Sequence, residues 1–240
     1  MKVIVAKDYA EMSVIAADLV AQQIKAKPDC VLGLATGSTP EGMYAELIKK
    51  YEAGNLDFAA VRSVNLDEYY PIKPDNDQSY RYFMNTKLFD HVNIDKANTN
   101  VPNGLAEDAE AEGARYDKII ADLGGIDLQI LGIGQNGHIG FNEPDAELIA
   151  GTHLADLTED TIKVNSRFFA SVDEVPKQAF SMGIGSIFCA RNIIIMASGA
   201  NKHAAIAKML EGKLTTMCPA TLLNLHPNVT VICDEAAYNG

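Results

Sequence analysis

The chain has 240 residues, a formal net charge of −12 at pH 7 and 48% hydrophobic residues. This apolar content is sufficient for a substantial buried core. The acidic balance argues against nucleic-acid binding, which uses basic surfaces. No run is apolar enough to cross a bilayer, and the N-terminal MKVIVAKDYAEMSV does not follow the pattern of a signal peptide. The sequence therefore predicts a cytoplasmic globular protein with neither a nucleic-acid nor a membrane partner.

The four cysteines are widely separated, at Cys30, Cys189, Cys218 and Cys233. They form no C-x-x-C pair and no Cys/His spacing typical of a metal site. We expect buried, reduced thiols and no bound metal.

Short apolar runs alternate with amphipathic stretches along the whole chain. In chain order, the strand-like runs are KVIVA, CVLGLA, VRSVNLD, DLQILGIG, NIIIMAS and VTVICD. Helical patterns follow the first two runs, and further helices are expected near 79–91, 106–122, 176–190 and 200–211. This alternation indicates βαβ units. The sequence predicts one α/β domain over residues 1–240, with an open, doubly wound, mainly parallel sheet and helices on both faces (Rossmann-like).

The first loop of interest, ATGST, leaves a predicted strand just before a helix. Parallel sheets bind ligands at the carboxyl ends of their strands, and a helix N-terminus favours anions. The loop residues Thr36, Gly37, Ser38 and Thr39 are therefore candidates for binding a phosphate monoester. Pro40 suits the first helical position and Thr39 the N-cap, so a simple capped helix is the alternative. No lysine follows, which excludes a nucleoside-triphosphate P-loop.

A second strand end, SVNLDEYYPI, carries adjacent acids at Asp67 and Glu68. Neighbouring residues of an extended chain point to opposite sides, so only one of them can face a site. Partial burial would raise the pKa of that carboxyl and make it a usable base. A solvated turn acid is the alternative.

The third strand end, GIGQNGHIGFNEP, contains a literal G-x-G-x-x-G in Gly132, Gly134 and Gly137. A dinucleotide site requires a helix after the third glycine, but Gly140 and Pro144 disfavour one here. What remains is a glycine-dense loop bearing His138 and Glu143. A histidine can exchange protons near neutral pH, although a purely structural histidine is the alternative.

Two later cations stand out against the acidic background: Arg167 in KVNSRFFA and Lys202 in ASGANKHAA. Each could be an ordinary surface cation, but together with the loops above they suggest a small anionic, polyhydroxylated ligand. The polar, weakly patterned segment 150–165 precedes Arg167 and is expected to act as a lid over that ligand.

Taken together, LATGSTP, NLDEYY, GIGQNGHIGFNEP, NSRFF, SGANKHAA and LNLHPNVTVICDEAA closely resemble the glucosamine-6-phosphate deaminase family from the first strand to the last. The resemblance implies conversion of D-glucosamine 6-phosphate and water to D-fructose 6-phosphate and ammonia, a hydrolytic deamination coupled to isomerisation that needs no cofactor. It also implies that His138 opens the sugar ring, that Glu143 orients His138, and that Asp67 moves a proton between carbons 2 and 1. The phosphate would be bound by Thr36 to Thr39 with Arg167 and Lys202.

The chain departs from part of that family at two places. Some members have an aspartate two residues before the histidine, where this chain has Asn136, which can orient a ring but cannot stabilise its charge. Longer hexameric members use basic residues after FNEP to bind an acetylated sugar phosphate as activator, whereas this chain has no Arg or Lys between Glu143 and Lys163 and stops at Gly240. We expect a monomer, or at most a weak oligomer, without such activation.

Two other functions remain open from the sequence. A 6-phosphogluconolactonase-like hydrolase would share the fold and the phosphate loop, but has no evident use for Asp67 as a carbon base. A non-catalytic sugar-phosphate sensor would retain the phosphate site and usually add a second, partner-binding domain.

Overall fold

The computed structural model describes residues 1–166, 169, 171 and 174–240. The predicted phosphate ligand Arg167 therefore lies outside the described residues. The described strands are β1 (Lys2–Ala6), β2 (Val31–Leu34), β3 (Arg62–Asn65), β4 (Asp67–Tyr70), β5 (Thr99–Asn100), β6 (Leu128–Gly132), β7 (His153–Asp156), β8 (Gln178–Ser181), β9 (Ile193–Ala197) and β10 (Val229–Asp234). The described α-helices are α1 (Tyr9–Ala26), α2 (Ser38–Glu52), α3 (Tyr80–Lys87), α4 (Ala109–Asp122), α5 (Glu159–Asn165), α6 (Ile184–Phe188), α7 (His203–Leu210) and α8 (Glu235–Asn239).

Seven strands form one parallel sheet in the order β1-β10-β9-β6-β2-β3-β5. One face packs on α1, α2 and α3 through side chains such as Met12, Tyr44 and Met84. The opposite face packs on α4 and α7 through Tyr116 and Ile206. Helices on both faces of a parallel sheet confirm the predicted doubly wound α/β fold.

The strand order places a crevice between β2 and β6. The connection from β2 through α2 to β3 runs toward one edge of the sheet, whereas the connection from β6 to β9 runs toward the other. The loops that follow β2 and β6 therefore diverge, and such a switch point is where open α/β sheets bind ligands.

A second, antiparallel sheet of three strands, β4-β8-β7, was not expected. The chain passes into it at Leu66, so Asp67 begins β4 rather than ending β3. The predicted helix over 176–190 is wrong, because β8 occupies its first part and only Ile184–Phe188 is helical. A β-carbon on Gly183 would lie 2.3 Å from the carbonyl oxygen of Gly151. The chain between β8 and α6 therefore packs too closely for an ordinary helical residue at that position.

The start of α2 also differs from the expectation. Gly37 is the N-cap, with φ of 87° and no side-chain capping hydrogen bond, and the helix begins at Ser38. Thr39 and Pro40 are thus the second and third helical residues rather than the cap and the first. The left-handed backbone at Gly37 favours glycine there.

The other predicted helices are present with small changes. The pattern near 79–91 is α3 followed by a 3-10 turn at Phe89–His91, and the one near 200–211 begins with a 3-10 turn at Ala200–Lys202. All four cysteines are free, but Cys189 is exposed rather than buried, since it ends the short helix α6. Among the described residues, no helix is long and apolar enough to traverse a bilayer.

The segment predicted to form a lid has its own secondary structure. Residues 153–156 pair with β8, and α5 follows them. The lid itself stays a prediction.

Candidate active site

A cavity of about 730 Å³ opens at the carboxyl ends of β2, β3 and β6. The predicted site residues that line it are Thr36, Gly37, Ser38, Thr39, Asp67, Asn136, His138 and Lys202. Glu143 lies behind His138 rather than on the cavity wall. The structure therefore brings all the described candidates together at the switch point of the sheet.

Asp67 is the buried acid of this cavity. It is 7% exposed, and its Oδ1 is completely buried with no hydrogen-bond partner among the described residues. Burial, and then the neighbouring charge of Glu68, raise the pKa of Asp67 to about 8. A carboxyl with an unpartnered oxygen and a pKa near neutrality is suited to accept and return a proton.

Glu68 does not line the cavity, in agreement with the prediction that only one of the two adjacent acids can face the site. Its carboxylate accepts hydrogen bonds from the backbone N–H groups of Tyr69, Tyr80 and Arg81 at 2.8–3.0 Å. Burial raises the pKa of Glu68 to about 7, although these three donors act in the opposite direction. Glu68 thus joins β4 to the start of α3, a structural role that the sequence left open.

His138, which lines the same cavity, forms a hydrogen-bonded pair with Glu143 behind it. The His138 Nδ1 lies 3.1 Å from both carboxylate oxygens of Glu143. Glu143 also accepts hydrogen bonds of 2.7 Å from Asn136 Nδ2 and from Thr161 Oγ1. Burial alone would raise the pKa of Glu143, but its contacts with His138, Thr161 and Asn136 outweigh burial and lower that pKa to about 2.

This arrangement fixes the histidine tautomer. An ionised Glu143 can only accept hydrogen bonds, so Nδ1 of His138 carries a proton and donates it to the carboxylate. In the neutral ring, Nε2 then has the lone pair, and this is the arrangement of a general base oriented by an acid. Asn136 additionally accepts a hydrogen bond from the backbone N–H of His138 at 3.1 Å.

Two glycines of the loop are required by close packing, one of them against this histidine. A β-carbon on Gly134 would lie 2.4 Å from Cε1 of His138, so only glycine allows the ring its position. Gly137 has φ of +86°, and a β-carbon there would lie 2.2 Å from Cys218 Sγ. Packing therefore accounts for the second and third glycines of the G-x-G-x-x-G, whereas a β-carbon on Gly132 would meet nothing within 4 Å. No helix begins at Gly137.

The N-terminus of α2 and Lys202 also line the cavity. Ser38 and Thr39 are the first residues of that helix, whose free N–H groups favour an anion. The Lys202 Nζ donates a hydrogen bond of 2.8 Å to the carbonyl oxygen of Ile133, which directs this cation toward the loop after β6. Lys163 of α5 also lines the cavity.

An aromatic wall completes the cavity. The Tyr69 ring centroid lies 4.6 Å from that of Tyr80 and 5.7 Å from that of Phe169, and the Tyr80 ring is stacked on Phe141. Burial raises the pKa of Tyr80 well above its ordinary value, so its phenol stays neutral.

Sequence reasoning missed Thr161, Lys163 and this aromatic wall. NLDEYY and FNEP contain Tyr69 and Phe141, but nothing in the sequence shows that their rings meet. Thr161 and Lys163 lie in a polar, weakly patterned stretch of the sequence, and nothing else there marked them as site residues. Among the described residues, no group of three or more His, Cys, Asp or Glu side chains is arranged to bind a metal ion.

The chain was compared with known proteins. Residues 7–232 match the family model described as glucosamine-6-phosphate isomerases/6-phosphogluconolactonase. The chain is 57% identical over 237 residues to a glucosamine-6-phosphate deaminase of Clostridium perfringens (strain 13 / Type A), covering 99% of this chain and 98% of the relative. It is 56% identical to a glucosamine-6-phosphate deaminase of Thermoanaerobacter pseudethanolicus, covering 99% and 94%.

Solved structures give the same picture. A monomeric glucosamine-6-phosphate deaminase of the NagB superfamily superimposes with a TM-score of 0.97 at 46% identity, covering 100% of this chain and 99% of that one. A 6-phosphogluconolactonase from Trypanosoma cruzi shares the fold, with a TM-score of 0.80 at 20% identity, covering 100% and 96%. The chain therefore belongs to the glucosamine-6-phosphate isomerase/6-phosphogluconolactonase family.

Proposed function

We propose that this protein is an enzyme that converts D-glucosamine 6-phosphate and water to D-fructose 6-phosphate and ammonia. The observation that carries the proposal is the placement of two different proton-transfer groups on one cavity. Asp67, buried and without a fixed partner at Oδ1, lies on the same cavity as the His138–Glu143 pair. An isomerisation that starts from a closed sugar ring needs both groups.

The His138–Glu143 pair is suited to opening the ring. Opening breaks the bond between carbon 1 and the ring oxygen, moves the proton of the carbon 1 hydroxyl, and protonates the ring oxygen. A neutral Nε2 of His138 accepts the first proton and returns it to the ring oxygen. Glu143, held ionised by its hydrogen bonds, stabilises the imidazolium between those two transfers. Asn136 fixes the loop and the carboxylate rather than adding charge.

Asp67 is suited to the carbon chemistry that follows. It takes the hydrogen of carbon 2 as a proton, and the electron pair forms a double bond between carbons 1 and 2 while the π pair of the carbon 1 carbonyl moves to its oxygen. That oxygen takes a proton from the ammonium group, Asp67 returns its proton to carbon 1, and the lone pair of the amine forms the double bond to carbon 2. The resulting iminium at carbon 2 then adds water and loses ammonia. In the free protein, the raised pKa of Asp67 favours the neutral carboxyl. When substrate is bound, the cationic amino group on its carbon 2 favours the ionised, basic form of Asp67.

The remaining cavity residues would bind the phosphate. The α2 N-terminus provides N–H groups and hydroxyls at Thr36 to Thr39, and Lys202 provides charge. For Arg167, which lies outside the described residues, only the family resemblance supports a role as phosphate ligand. The net reaction consumes one water and is a hydrolytic deamination that includes an isomerisation. No step requires a cofactor.

A lactone hydrolase is the second candidate, because the family includes 6-phosphogluconolactonases. Such an enzyme needs a base to activate water at a carbonyl, which His138 could supply, but it needs no buried carboxyl facing the sugar carbons. The position of Asp67 favours the deaminase. A sugar-phosphate sensor would have no need for either proton-transfer group.

One experiment separates the three functions. The purified protein is mixed with glucosamine 6-phosphate or with 6-phosphogluconolactone, and ammonia and lactone opening are measured. Ammonia release from the amino sugar supports the proposal, lactone opening alone supports the hydrolase, and tight binding without turnover supports the sensor. A monomeric state and a cytoplasmic location stay predictions, the former supported by the monomeric solved relative.

A further inference from the structure

The end of the chain packs against the turn that carries Lys202. Strands β9 and β10 are parallel neighbours, in register up to Ala197 and Cys233. The next residue of each chain segment, Ser198 and Asp234, therefore lies at the carboxyl edge of the sheet beside the other. The 3-10 turn that ends at Lys202 begins two residues after Ser198. The carboxyl end of β10 is thus placed to act on a cavity residue that belongs to the neighbouring strand's loop.

The Asp234 carboxylate is buried and fully hydrogen-bonded. Its side chain belongs to a residue that is 5% exposed. Oδ1 accepts hydrogen bonds from the backbone N–H groups of Gly199 and Ala237 at 3.1 and 2.8 Å. Oδ2 accepts from the Gly199 N–H at 3.1 Å and from the Ser198 hydroxyl. Burial alone would raise the pKa of Asp234, but these hydrogen bonds outweigh burial and lower it.

Capping of α8 does not account for this set of contacts. A helix cap uses one side-chain oxygen, which Asp234 provides to the N–H of Ala237. Its contacts with Ser198 and Gly199 join two strand ends that are 35 residues apart in the chain. Gly199 has φ of 93°, and its carbonyl oxygen accepts the N–H of Lys202 at 3.0 Å. The direction in which the Lys202 turn leaves β9 therefore depends on Asp234.

Helix α8 also supports the turn from its other side. His203, the residue after Lys202, donates from Nδ1 to the carbonyl oxygen of Ala237 at 3.3 Å. A β-carbon on Gly240 would lie 3.3 Å from Cδ2 of His203, so the last residue packs closely on that ring. The Lys202 backbone is thus held on both sides by the end of the chain, while its Nζ bonds to the carbonyl oxygen of Ile133.

We propose that Asp234 is a positioning residue that sets the place of Lys202 against the phosphate of the sugar. Asp234 does not line the cavity, so it acts through the Gly199 turn rather than by touching the ligand. The inference rests on the proposed function for the identity of that ligand, a sugar phosphate. Hydrogen bonds weaken steeply as their geometry departs from the optimum. A displaced turn would therefore leave the ammonium group of Lys202 in the cavity but poorly aligned with a phosphate oxygen.

The test measures binding of fructose 6-phosphate to the purified protein by isothermal titration calorimetry. Asp234→Ala removes every contact of the carboxylate, whereas Asp234→Asn keeps an oxygen that can accept from Gly199 and Ala237. Asp108→Ala is the matched control, because Asp108 caps α4 in the same way, on the Ala111 N–H at 3.0 Å, and does not line the cavity. The same variants are then assayed with glucosamine 6-phosphate.

We expect Asp234→Ala to weaken binding of fructose 6-phosphate by about 10-fold, as for a misaligned hydrogen bond to a charged group. Asp234→Asn should recover most of that loss, and Asp108→Ala should bind normally. KM for glucosamine 6-phosphate should rise in parallel, whereas the midpoints of the pH profile of kcat, which report Asp67 and His138, should stay unchanged. In a Lys202→Met background, Asp234→Ala should add little, because the cation that it places is gone.

Two results would overturn the inference. One is unchanged affinity for fructose 6-phosphate in Asp234→Ala. The other is an equal loss from Asp234→Ala with and without Lys202, which would indicate a general structural effect. Should Asp234→Ala not fold, Ser198→Ala removes the hydroxyl contact alone and is expected to weaken binding by a smaller amount. Unchanged affinity there would also overturn the inference.

The outcomes for the proposed function are separate. A wild-type protein that binds fructose 6-phosphate but releases no ammonia from glucosamine 6-phosphate would refute the deaminase and leave the role of Asp234 to the binding data. A wild-type protein that releases ammonia while the Asp234 variants bind normally would overturn the role of Asp234 alone. A wild-type protein that does not bind fructose 6-phosphate would overturn both.

Discussion

The Thr161 hydroxyl donates a hydrogen bond of 2.7 Å to Oε1 of Glu143, which joins helix α5 to the residue that orients His138. Thr161 is itself buried, and its backbone N–H bonds to the Thr158 side chain that caps the helix. The start of α5 and the alignment of His138 therefore depend on each other.

We expect Thr161→Val to lower kcat/KM for glucosamine 6-phosphate by roughly 10-fold, because one hydrogen bond to a charged group is lost while the shape is kept. The pKa of Glu143 should rise from its value of about 2. Ammonia release over a range of pH provides the measurement. Glu159→Gln, an exposed change in the same helix, is the matched control, and an equal loss in both variants would count against the role of Thr161.

Asp67→Asn should fold normally and lose most deamination, because an amide cannot accept the carbon-bound proton. Removal of a general base typically costs roughly 10²–10⁴-fold. The measurement is exchange of the carbon 2 hydrogen with deuterated solvent. Near-normal exchange in the variant would remove Asp67 from the mechanism.

The same variant should be more stable than the wild-type protein in alkali. The folded-state pKa of Asp67, about 8, lies above the ordinary value of 3.8, so between these values the folded protein binds more protons than the unfolded chain. Its contribution to stability is then present at low pH and is lost as pH rises through about 8. We expect Asp67→Asn to gain a few kcal/mol over the wild type at about pH 9, since one unit corresponds to roughly 1.4 kcal/mol. Urea unfolding at about pH 5 and 9 measures this, and an equal difference at both would contradict it.

Glucosamine without its phosphate should be a very poor substrate, in turnover as well as affinity, because remote binding energy holds the reacting carbons in place. Lys202→Met should reduce the preference for the phosphorylated sugar by roughly 10-fold or more. Variants of Arg167 should act in the same direction. Lys208→Met, an exposed change in α7, is the control. An unaltered preference in Lys202→Met and in a double variant with Arg167→Ala would refute phosphate binding by these cations.

The rate should depend hyperbolically on substrate, and N-acetylglucosamine 6-phosphate should not activate the protein. A second phosphate-bearing ligand would need cations, and between Glu143 and Lys163 the sequence contains no Arg or Lys, while Lys163 itself lines the cavity. The assay belongs at about pH 8, where an ordinary histidine such as His153 is mostly neutral. A sigmoidal curve made hyperbolic by the acetylated compound, with a hexamer in light scattering, is the contrary result.

The parallel sheet and the loops at its edge could be predicted because their signals are local. Buried strands such as Ile193–Ala197 have continuous apolar sequence, and ATGST and GHIGFNEP lie directly after strands. Alternation likewise predicted that only one of Asp67 and Glu68 would face the site, without saying which. Chain order together with the rule for parallel sheets was therefore sufficient to place Asp67, His138 and Lys202 near one another.

The antiparallel sheet could not be predicted, because its strands are four residues each and their partners are distant in sequence. Gln178–Ser181 has the composition of either a short strand or the start of a helix, and only pairing on both sides decides between them. For the same reason Thr161 had no visible link to Glu143.

Strand β8 contacts both sides of the candidate site. Ser181 is in register with Asp67 on one side and with His153 on the other, and its Oγ accepts a hydrogen bond from the Phe141 N–H beside the histidine loop. Asp67 and the loop that carries His138 thus share a support whose apolar core is far smaller than those of the large sheet. When that support opens locally, which small units do at low cost, we expect both of the proposed proton transfers to be lost at once. A partly opened molecule would consequently leave the sugar closed and release no reactive open-chain aldehyde.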